Sequence, residues 1–178
     1  MTLPLPGRHM VNNAVIAATV GMSCGLELDE VVRGLENVQL SGGRVTSLQI
    51  GGITAIDDTY NANPDSMSAA VDVLASWPNA KRRIAVLGEM GELGDHAEAG
   101  YRKVGARLAA SCIDQVVLVG PATRTIGDAA PEISSTHFDT TDLAAVALSE
   151  NFFTDGDVVL FKGSRTSRIE TILQALRP

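Results

Sequence analysis

The chain has 178 residues, a formal net charge of −7 and a hydrophobic fraction of 45%, which is enough for a folded core. The acidic balance, without any stretch rich in Lys or Arg, argues against a nucleic-acid-binding protein. No run approaches the roughly 18 apolar residues of a membrane span, and the first residues lack the pattern of a signal peptide, so we expect a cytoplasmic protein that contacts no membrane.

The amino-terminal segment predicts two helices. Asn12-Asn13 can cap a long apolar run, and a second, shorter helix begins near Asp29. Ser41-Gly42-Gly43 then interrupts the helical pattern. We therefore predict a helical segment over 1–43 and a separate domain over 44–178.

The second domain alternates short apolar strands with helical segments. Val45–Ile50 and Ile53–Ile56 flank Gly51-Gly52 and predict a β-hairpin. The later predicted elements are strands at 84–87, 116–119, 135–138 and 158–161 and helices at 65–77, 97–111, 122–129, 141–151 and 168–176. Continuous apolar strands separated by helices indicate parallel pairing, so we predict a doubly wound, Rossmann-like α/β sheet with helices on both faces.

Polar residues follow the first long strand of this sheet, and ligands of such sheets bind beyond the carboxyl ends of strands. Asp57–Ser66 combines carboxylates, amides and a phenol in a strand-to-helix turn. A carboxylate at such a turn can accept both hydroxyls of a ribose. The alternative is a loop whose Asp and Asn side chains satisfy their own backbone.

Two further segments follow strand ends. Gly88–Gly94 contains three glycines that permit close backbone approach, but its two glutamates would repel a phosphate, so a structural turn is the alternative. Lys162, Arg165 and Arg168 surround the predicted start of the last helix and could bind a carboxylate or phosphate there. The alternative is a set of solvated charges beside an ordinary helix cap.

The metal-binding residue types show no site. His9, His96 and His137 lack a second ligand at metal-binding spacing, so we assign no metal. Cys24 and Cys112 lie far apart without a CxxC pattern, and we expect them to be buried free thiols.

Taken together, these segments resemble the Mur ligase family along nearly the whole chain. Pro6–Asn13 is similar to the G-x-H-N-x-x-N stretch at the end of the family's central ATPase domain, and Gly43-Arg44 to the Gly-Arg at its junction with the carboxy-terminal domain. Asp57–Ser66, with the sequence DDTYNANPDS, is the most specific match. Gly88–Gly94 and Lys162–Arg165 follow in the family's order.

The chain also departs from the family pattern. Met10 stands where an Asn usually follows the His, and Tyr101 stands where a His is common. The sequence contains no GxxGK[ST] phosphate-binding loop. The resemblance therefore implies that the loop lysine, the magnesium ligands and the uridine site lie upstream, and we expect these 178 residues to be inactive alone.

The resemblance implies an ATP-dependent amide-bond ligase of peptidoglycan precursor synthesis, with ATP and Mg²⁺ required by the full-length enzyme. ATP would phosphorylate the terminal carboxylate of UDP-N-acetylmuramoyl-tripeptide, and the amine of D-alanyl-D-alanine would attack the acyl phosphate. The partners are then small molecules rather than nucleic acid, and a monomer is expected. The alternative is a non-catalytic α/β nucleotide- or ligand-binding domain related to this family.

The resemblance also implies roles for nine residues, none of them assigned as catalytic. On the ATP side, Asn13 would lie near the adenine, Arg44 would approach the nucleotide on domain closure, and Asp58 would take the ribose hydroxyls. The residues implied to line the cleft are Tyr60, Asn61 and Asn63. The residues implied to face the incoming dipeptide or the acceptor carboxylate are Lys162, Ser164 and Arg165.

Overall fold

The computed structural model describes residues 2–4, 7–39 and 42–177, without the side chains of Arg8 and His9. The side chain of His9 and the position of Ser41, both named above, lie outside the described residues. The chain divides into two compact units, Met1–Ser41 and Gly42–Pro178.

The first unit contains two helices, α1 (Arg8–Ser23) and α2 (Leu28–Glu36). Asn12-Asn13 does not cap α1, because the helix already begins at Arg8. The residue before it, Gly7, has a φ of 96°, which is incompatible with a right-handed helix and sets the boundary. Helix α2 starts with a capping box in which Glu27 is the cap residue.

Helix α1 carries several exposed apolar side chains. Val15, Ile16 and Val20 are 60%, 63% and 57% exposed, whereas Ala14 on the same helix is buried. Even so, none of the helices among the described residues has the length and apolarity needed to cross a membrane.

The second unit is built on a six-stranded sheet with the order β1-β2-β6-β3-β4-β5. The strands are β1 (Thr46–Ile50), β2 (Ile53–Asp58), β3 (Arg83–Gly88), β4 (Gln115–Val119), β5 (Ser134–Phe138) and β6 (Val158–Lys162). Only the β1–β2 hairpin is antiparallel among these pairings. The predicted hairpin and the mostly parallel sheet are confirmed.

Five helices cover the two faces of the sheet. They are α3 (Pro64–Ala75), α4 (Ala97–Ala109), α5 (Arg124–Asp128), α6 (Thr141–Ser149) and α7 (Glu170–Ala175). Helices α3, α4 and α5 pack against one another in succession, and α6 packs against α7. Right-handed crossovers explain the division, because the chain crosses the sheet in one direction through α3–α5 and returns through α6. The predicted doubly wound architecture is confirmed.

Strand β6 lies in the middle of the sheet, and all five of its residues are buried. Val159 and Phe161 belong to the core beneath α6 and α7. Leu160, fully buried like its neighbours, points to the opposite face because side chains alternate along a strand. Burial on both faces accounts for the continuous apolar run, and each such side chain contributes about 1.5–3 kcal/mol.

The last helix and the cysteines differ from expectation. Helix α7 begins at Glu170 rather than at Arg168, because Arg168 adopts the left-handed conformation with a φ of 50°.

Cys24 and Cys112 are free thiols, as predicted, but both are exposed, so the prediction of burial is wrong. Each follows a helix end, at α1 and α4, where the chain leaves the packed part of its unit.

Candidate functional site

Two opposite charges meet where the neighbouring strands β2 and β6 end. Asp58 and Lys162 are register partners at the carboxyl ends of these strands. The Lys162 ammonium donates to Asp58 Oδ2 at 2.6 Å, and their side chains are only 12% and 3% exposed. The backbone N–H of Val45 donates to Asp58 Oδ1 at 3.3 Å. Both oxygens of this carboxylate are therefore held by the protein.

The Lys162 ammonium also ties down the loop that follows β2. Its second acceptor is the carbonyl oxygen of Asn61, at 2.9 Å, and the carbonyl of Asp58 lies at 3.5 Å. A buried charge needs such compensation, because removing one partner of a buried ion pair typically costs about 3–5 kcal/mol. The pair is thus a fixed part of the carboxyl edge.

The rest of the loop after β2 largely satisfies its own backbone. Thr59 donates to Asp57 Oδ1 from its backbone N–H at 3.2 Å and from its hydroxyl at 2.7 Å. Asn63 caps α3 by accepting from the Ser66 N–H at 2.8 Å, and the Ser66 hydroxyl accepts from the Asn63 N–H at 3.1 Å. Asn61 Oδ1 accepts from the next N–H along the chain. The alternative of a loop whose side chains satisfy their own backbone therefore applies to Asp57, Asn61 and Asn63, whereas Asp58 is paired with Lys162.

The Gly43-Arg44 pair packs onto the same loop. The Arg44 guanidinium lies 4.3 Å from the centroid of the Tyr60 ring, a cation–π contact, and the Tyr60 N–H donates to the Gly43 carbonyl at 2.9 Å. Gly43 has a φ of 75°, and a Cβ there would lie 3.0 Å from the Tyr60 nitrogen. Both conformation and space therefore require glycine at this position.

The glycine-rich loop after β3 is anchored on three sides. The Ser164 N–H donates to the Glu89 carbonyl at 2.8 Å, and Glu89 Oε1 accepts from the Ala122 N–H at 3.0 Å. The Tyr101 hydroxyl accepts from the Met90 N–H at 2.8 Å and donates to the Met90 carbonyl at 3.2 Å. Tyr101, noted above as a departure, thus holds this loop in place.

Burial changes the acidity of that tyrosine. Tyr101 is 3% exposed, and this burial raises the pKa of its phenol above the ordinary value of 10.0. The hydrogen bond with the Met90 backbone opposes the change and the charge of Glu89 reinforces it. Tyr101 therefore stays neutral around pH 7 and serves as a hydrogen-bonding anchor.

The segment after β6 forms a compact turn rather than the start of a helix. Ser164 is 3% exposed, and its carbonyl accepts from the N–H and the hydroxyl of Ser167 at 3.0 and 2.7 Å. The Arg165 guanidinium is exposed and lies 3.8 Å from the Glu170 carboxylate. Since α7 begins with the acidic Glu170 and Lys162 is buried against Asp58, the structure does not gather these cations at one helix start.

Asn13 belongs to the first unit. It lies on α1 with an exposed side chain, and its amide donates to Met10 Sδ at 3.8 Å. The residue that departs from the family pattern therefore contacts the residue implied to approach the adenine. The other eight implied site residues belong to the second unit.

Neither a metal cluster nor the size of a cavity identifies the site. Within the described ranges, no group of three or more His, Cys, Asp or Glu side chains could hold a metal ion. A cavity of about 470 Å³ lies near Phe152, Phe153 and Thr154, where β6 begins, at the edge opposite to Asp58. The carboxyl edge instead carries an ion pair in which both side chains, those of Asp58 and Lys162, are largely buried.

The pairing of Asp58 with Lys162 and the anchoring role of Tyr101 were not predicted from the sequence. The first joins residues 104 positions apart and depends on β6 lying beside β2, an order that the chain pattern does not reveal. A signal existed for the second, because an aromatic residue stood where the pattern of the family has a histidine.

Comparison with known proteins relates this geometry to one family. The family described as "Mur ligase, glutamate ligase domain" matches residues 43–165. UDP-N-acetylmuramoyl-tripeptide--D-alanyl-D-alanine ligase of Escherichia coli (strain K12) is 39% identical over 179 residues, covering 98% of this chain and 38% of that protein. The chain thus spans 38% of the length of this curated relative.

Solved structures agree in fold. A crystal structure of MurF from Acinetobacter baumannii matches with a TM-score of 0.86 and 34% identity, covering 98% of this chain and 38% of that chain. MurF ligase from Thermotoga maritima, in complex with ADP, matches with a TM-score of 0.77 and 28% identity, covering 97% of this chain and 38% of that one.

Proposed function

The chain belongs to the Mur ligase family, and on that premise we propose that it is the carboxy-terminal part of an ATP-dependent ligase joining D-alanyl-D-alanine to UDP-N-acetylmuramoyl-tripeptide. The observation that carries the proposal is the buried Asp58 carboxylate, held in a fixed orientation at the carboxyl edge of the sheet. The name of the E. coli relative and the ADP bound to the T. maritima ligase support the same choice of substrates.

We assign the two parts of the chain to different domains of the parent enzyme. We assign residues 1–43 to the end of a central ATP-binding domain and residues 44–178 to the carboxy-terminal domain. The contact between the Arg44 guanidinium and Tyr60 supports assigning Arg44 to the carboxy-terminal domain, because it ties that residue to the second unit. We further propose that the parent enzyme is a cytoplasmic monomer.

Three residues are assigned to the nucleotide. Asp58 accepts the ribose hydroxyls, Arg44 approaches the nucleotide when the domains close, and Asn13 contributes near the adenine. An ionised carboxylate has about four acceptor positions, more than the two that the Lys162 ammonium and the Val45 N–H occupy. Tyr60, with a ring 48% exposed, and the neighbouring Asn61 line the cleft, while Asn63 shapes it by capping α3.

The reaction has two steps. A carboxylate oxygen of the tripeptide attacks the γ-phosphorus of ATP and releases ADP, and the amine of the dipeptide then attacks the acyl carbon, releasing phosphate and a proton. Domain closure keeps water from the acyl phosphate. Ser164 and Arg165 lie on the side of the incoming dipeptide. Mg²⁺ would neutralise phosphate charge in such a reaction, and we assign its ligands to the part of the enzyme that carries the phosphate-binding loop.

The ligation activity of the enzyme containing this chain tests the proposal. Asp58→Asn should raise the KM for ATP at least about tenfold, because a hydrogen bond to a charged group contributes about 1.5–3 kcal/mol. Phosphate release that depends on both the tripeptide precursor and D-alanyl-D-alanine is the measurement. Asp128→Asn, which makes the same change at an exposed position on α5, is the control and should behave as wild type.

Two results would overturn the assignment. An unchanged KM for ATP in Asp58→Asn removes the nucleotide role of this carboxylate. Robust turnover by residues 1–178 alone contradicts the proposal that this chain holds only part of the active site.

A further inference from the structure

We propose that Lys162 is a positioning residue, which orients the Asp58 carboxylate toward the nucleoside hydroxyls and does not itself bind the dipeptide. The inference rests on the proposed function, because it concerns how the ribose side of the same site is built. It assigns Lys162 to the nucleotide side instead of the acceptor side, where the family resemblance alone had placed it.

The ammonium of Lys162 is directed into the protein. It has three N–H bonds, and Asp58 Oδ2 at 2.6 Å and the Asn61 carbonyl at 2.9 Å are its close acceptors, with the Asp58 carbonyl at 3.5 Å. The side chain is 3% exposed. A dipeptide carboxylate could reach this buried ammonium only by displacing one of these acceptors from it.

The same contacts determine how the carboxylate is oriented. Lys162 reaches Oδ2 from the end of β6, and the Val45 N–H reaches Oδ1 from the residue before β1. A donor at the end of β6 and a donor in the segment before β1 together restrict the rotation of the carboxylate plane and its distance from the edge of the sheet. Without Lys162, only the longer contact from Val45, at 3.3 Å, would remain of these two.

Lys162 also keeps the carboxylate suited to accept hydrogen bonds. Asp58 is 8% exposed, and a charged group in such a place needs paired or hydrogen-bonded partners, one of which is the Lys162 ammonium. A protonated or reoriented Asp58 would lose acceptor capacity toward a hydroxyl. The bond from Lys162 to the Asn61 carbonyl additionally fixes the backbone on which Tyr60 is carried.

Discrimination between ATP and its deoxy analogues tests this role. In the ligase containing this chain, kcat/KM is measured for ATP, 2′-deoxy-ATP and 3′-deoxy-ATP, with the KM for D-alanyl-D-alanine measured in parallel. The wild type should prefer ATP to at least one analogue by about tenfold or more, the effect of one lost hydrogen bond to a charged acceptor. Lys162→Met should reduce that preference to within about twofold, as Asp58→Asn does, with the KM for the dipeptide unchanged.

Three further variants test whether a change in nucleotide preference comes from the lost contact or from a folding defect. Lys162→Gln keeps a donor of similar reach without the charge and should show intermediate discrimination. Lys103→Met changes the same residue type in an exposed ion pair with Asp65 and should match the wild type. The double variant Asp58→Asn with Lys162→Met should keep the same residual preference for ATP as Asp58→Asn alone. Both changes act on one interaction, so their effects should not add.

The outcomes separate the two proposals. A wild type that performs no ligation overturns the proposed function and this inference with it. A wild type that ligates with all three nucleotides equally overturns the ribose role of Asp58 and this inference, while the ligase assignment stands. If Asp58→Asn loses discrimination but both Lys162 variants keep it, the inference alone is wrong. A raised KM for the dipeptide in the Lys162 variants, with nucleotide discrimination intact, contradicts it as well, and so does lowered thermal stability without any change in discrimination.

Discussion

The Arg82 guanidinium and the Asp157 carboxylate form an ion pair at the amino-terminal edge of the sheet, just before β3 and β6. Arg82 donates from Nε at 2.9 Å and from Nη2 at 2.5 Å, and the Thr154 N–H donates to Asp157 Oδ2 at 2.8 Å. The Asp157 side chain is fully buried. Burial alone would raise its pKa, but these hydrogen bonds and the Arg82 charge outweigh it, so the pKa of Asp157 lies below its usual value.

We predict that this pair makes stability sensitive to acid. Because the folded pKa of Asp157 is below the unfolded one, its contribution is present above about pH 4 and is lost as the pH falls through the folded pKa. Arg82→Met should lower the free energy of unfolding at neutral pH by about 2–4 kcal/mol, since it leaves a buried carboxylate without its cation. It should also lessen the loss of stability in acid. Urea unfolding at a series of pH values measures both.

The exposed ion pair between Arg124 and Asp139 is the control. Their closest atoms lie 3.0 Å apart, and the side chains are 59% and 65% exposed. Arg124→Met should change stability by less than about 1 kcal/mol. If Arg82→Met kept the acid sensitivity of the wild type, the assignment to Asp157 would be wrong.

Tyr101→Phe should loosen the glycine-rich loop. The substitution leaves the Met90 N–H without its partner in a buried place, so we expect a loss of about 1–3 kcal/mol in the free energy of unfolding. Because burial raises the pKa of Tyr101, its contribution is present below about pH 10 and is lost as the pH rises through the folded pKa. Unfolding measured from neutral to alkaline pH should therefore show a smaller alkaline loss in the variant. Equal alkaline losses in both proteins would contradict this account.

Gly163→Ala should disturb the turn after β6. A Cβ at Gly163 would clash with Ser167 Oγ and would lie 2.6 Å from Ile169 Cγ1 and 3.2 Å from the Cα of Gly88, so these neighbours would have to shift. We expect a loss of about 1–3 kcal/mol, the usual effect of overpacking. Gly91→Ala is the matched control, because its Cβ would meet Ser164 at 3.7 Å, an ordinary contact. Thermal unfolding of the two variants should differ clearly, and equal melting temperatures would argue against the close approach.

The contact between Arg44 and Tyr60 should be measurable by a double-mutant cycle. Arg44→Met and Tyr60→Leu, separately and together, should give a coupling energy of about 0.5–1 kcal/mol in unfolding, as for an exposed cation–π pair. Changing the salt concentration tests whether the coupling has an electrostatic component. Strict additivity of the two substitutions would show that the pair makes no energetic contribution.

The sequence predicted the elements of the second unit better than their arrangement. Apolar runs revealed β3, β4 and β6 because strands buried on both faces have no polar alternation. The sequence pattern did not show that β6 lies between β2 and β3. A hydrophobic run indicates that a strand is buried, but it does not indicate which strand lies beside it.

Helix starts were harder to predict wherever the backbone conformation was unusual for the residue. Asn12-Asn13 had the right side chains for a cap, but the boundary of α1 is set by Gly7. Because Arg168 adopts the left-handed conformation, α7 begins after it. Arginine rarely adopts this conformation, so the sequence did not predict it.

The sequence predicted the edge of the sheet at which the candidate site lies, but not the contacts within the site. The rule that ligands gather at carboxyl ends placed Asp58 and Lys162 at the same edge. Their direct pairing requires β2 and β6 to be neighbours in exact register, which is a property of the assembled sheet. Their partners, and with them the proposed role of Lys162, therefore emerged only from the fold.

The position of β6 has a consequence for biosynthesis. A ribosome delivers β1 to β5 first, yet the strand that joins β2 to β3 is made after all of them. Until β6 emerges, the nascent chain holds two incomplete pieces of sheet, each with an unpaired apolar edge of the kind that promotes aggregation. The second unit thus cannot complete its sheet before β6 has been made, and until then its strand edges stay open to non-native pairing.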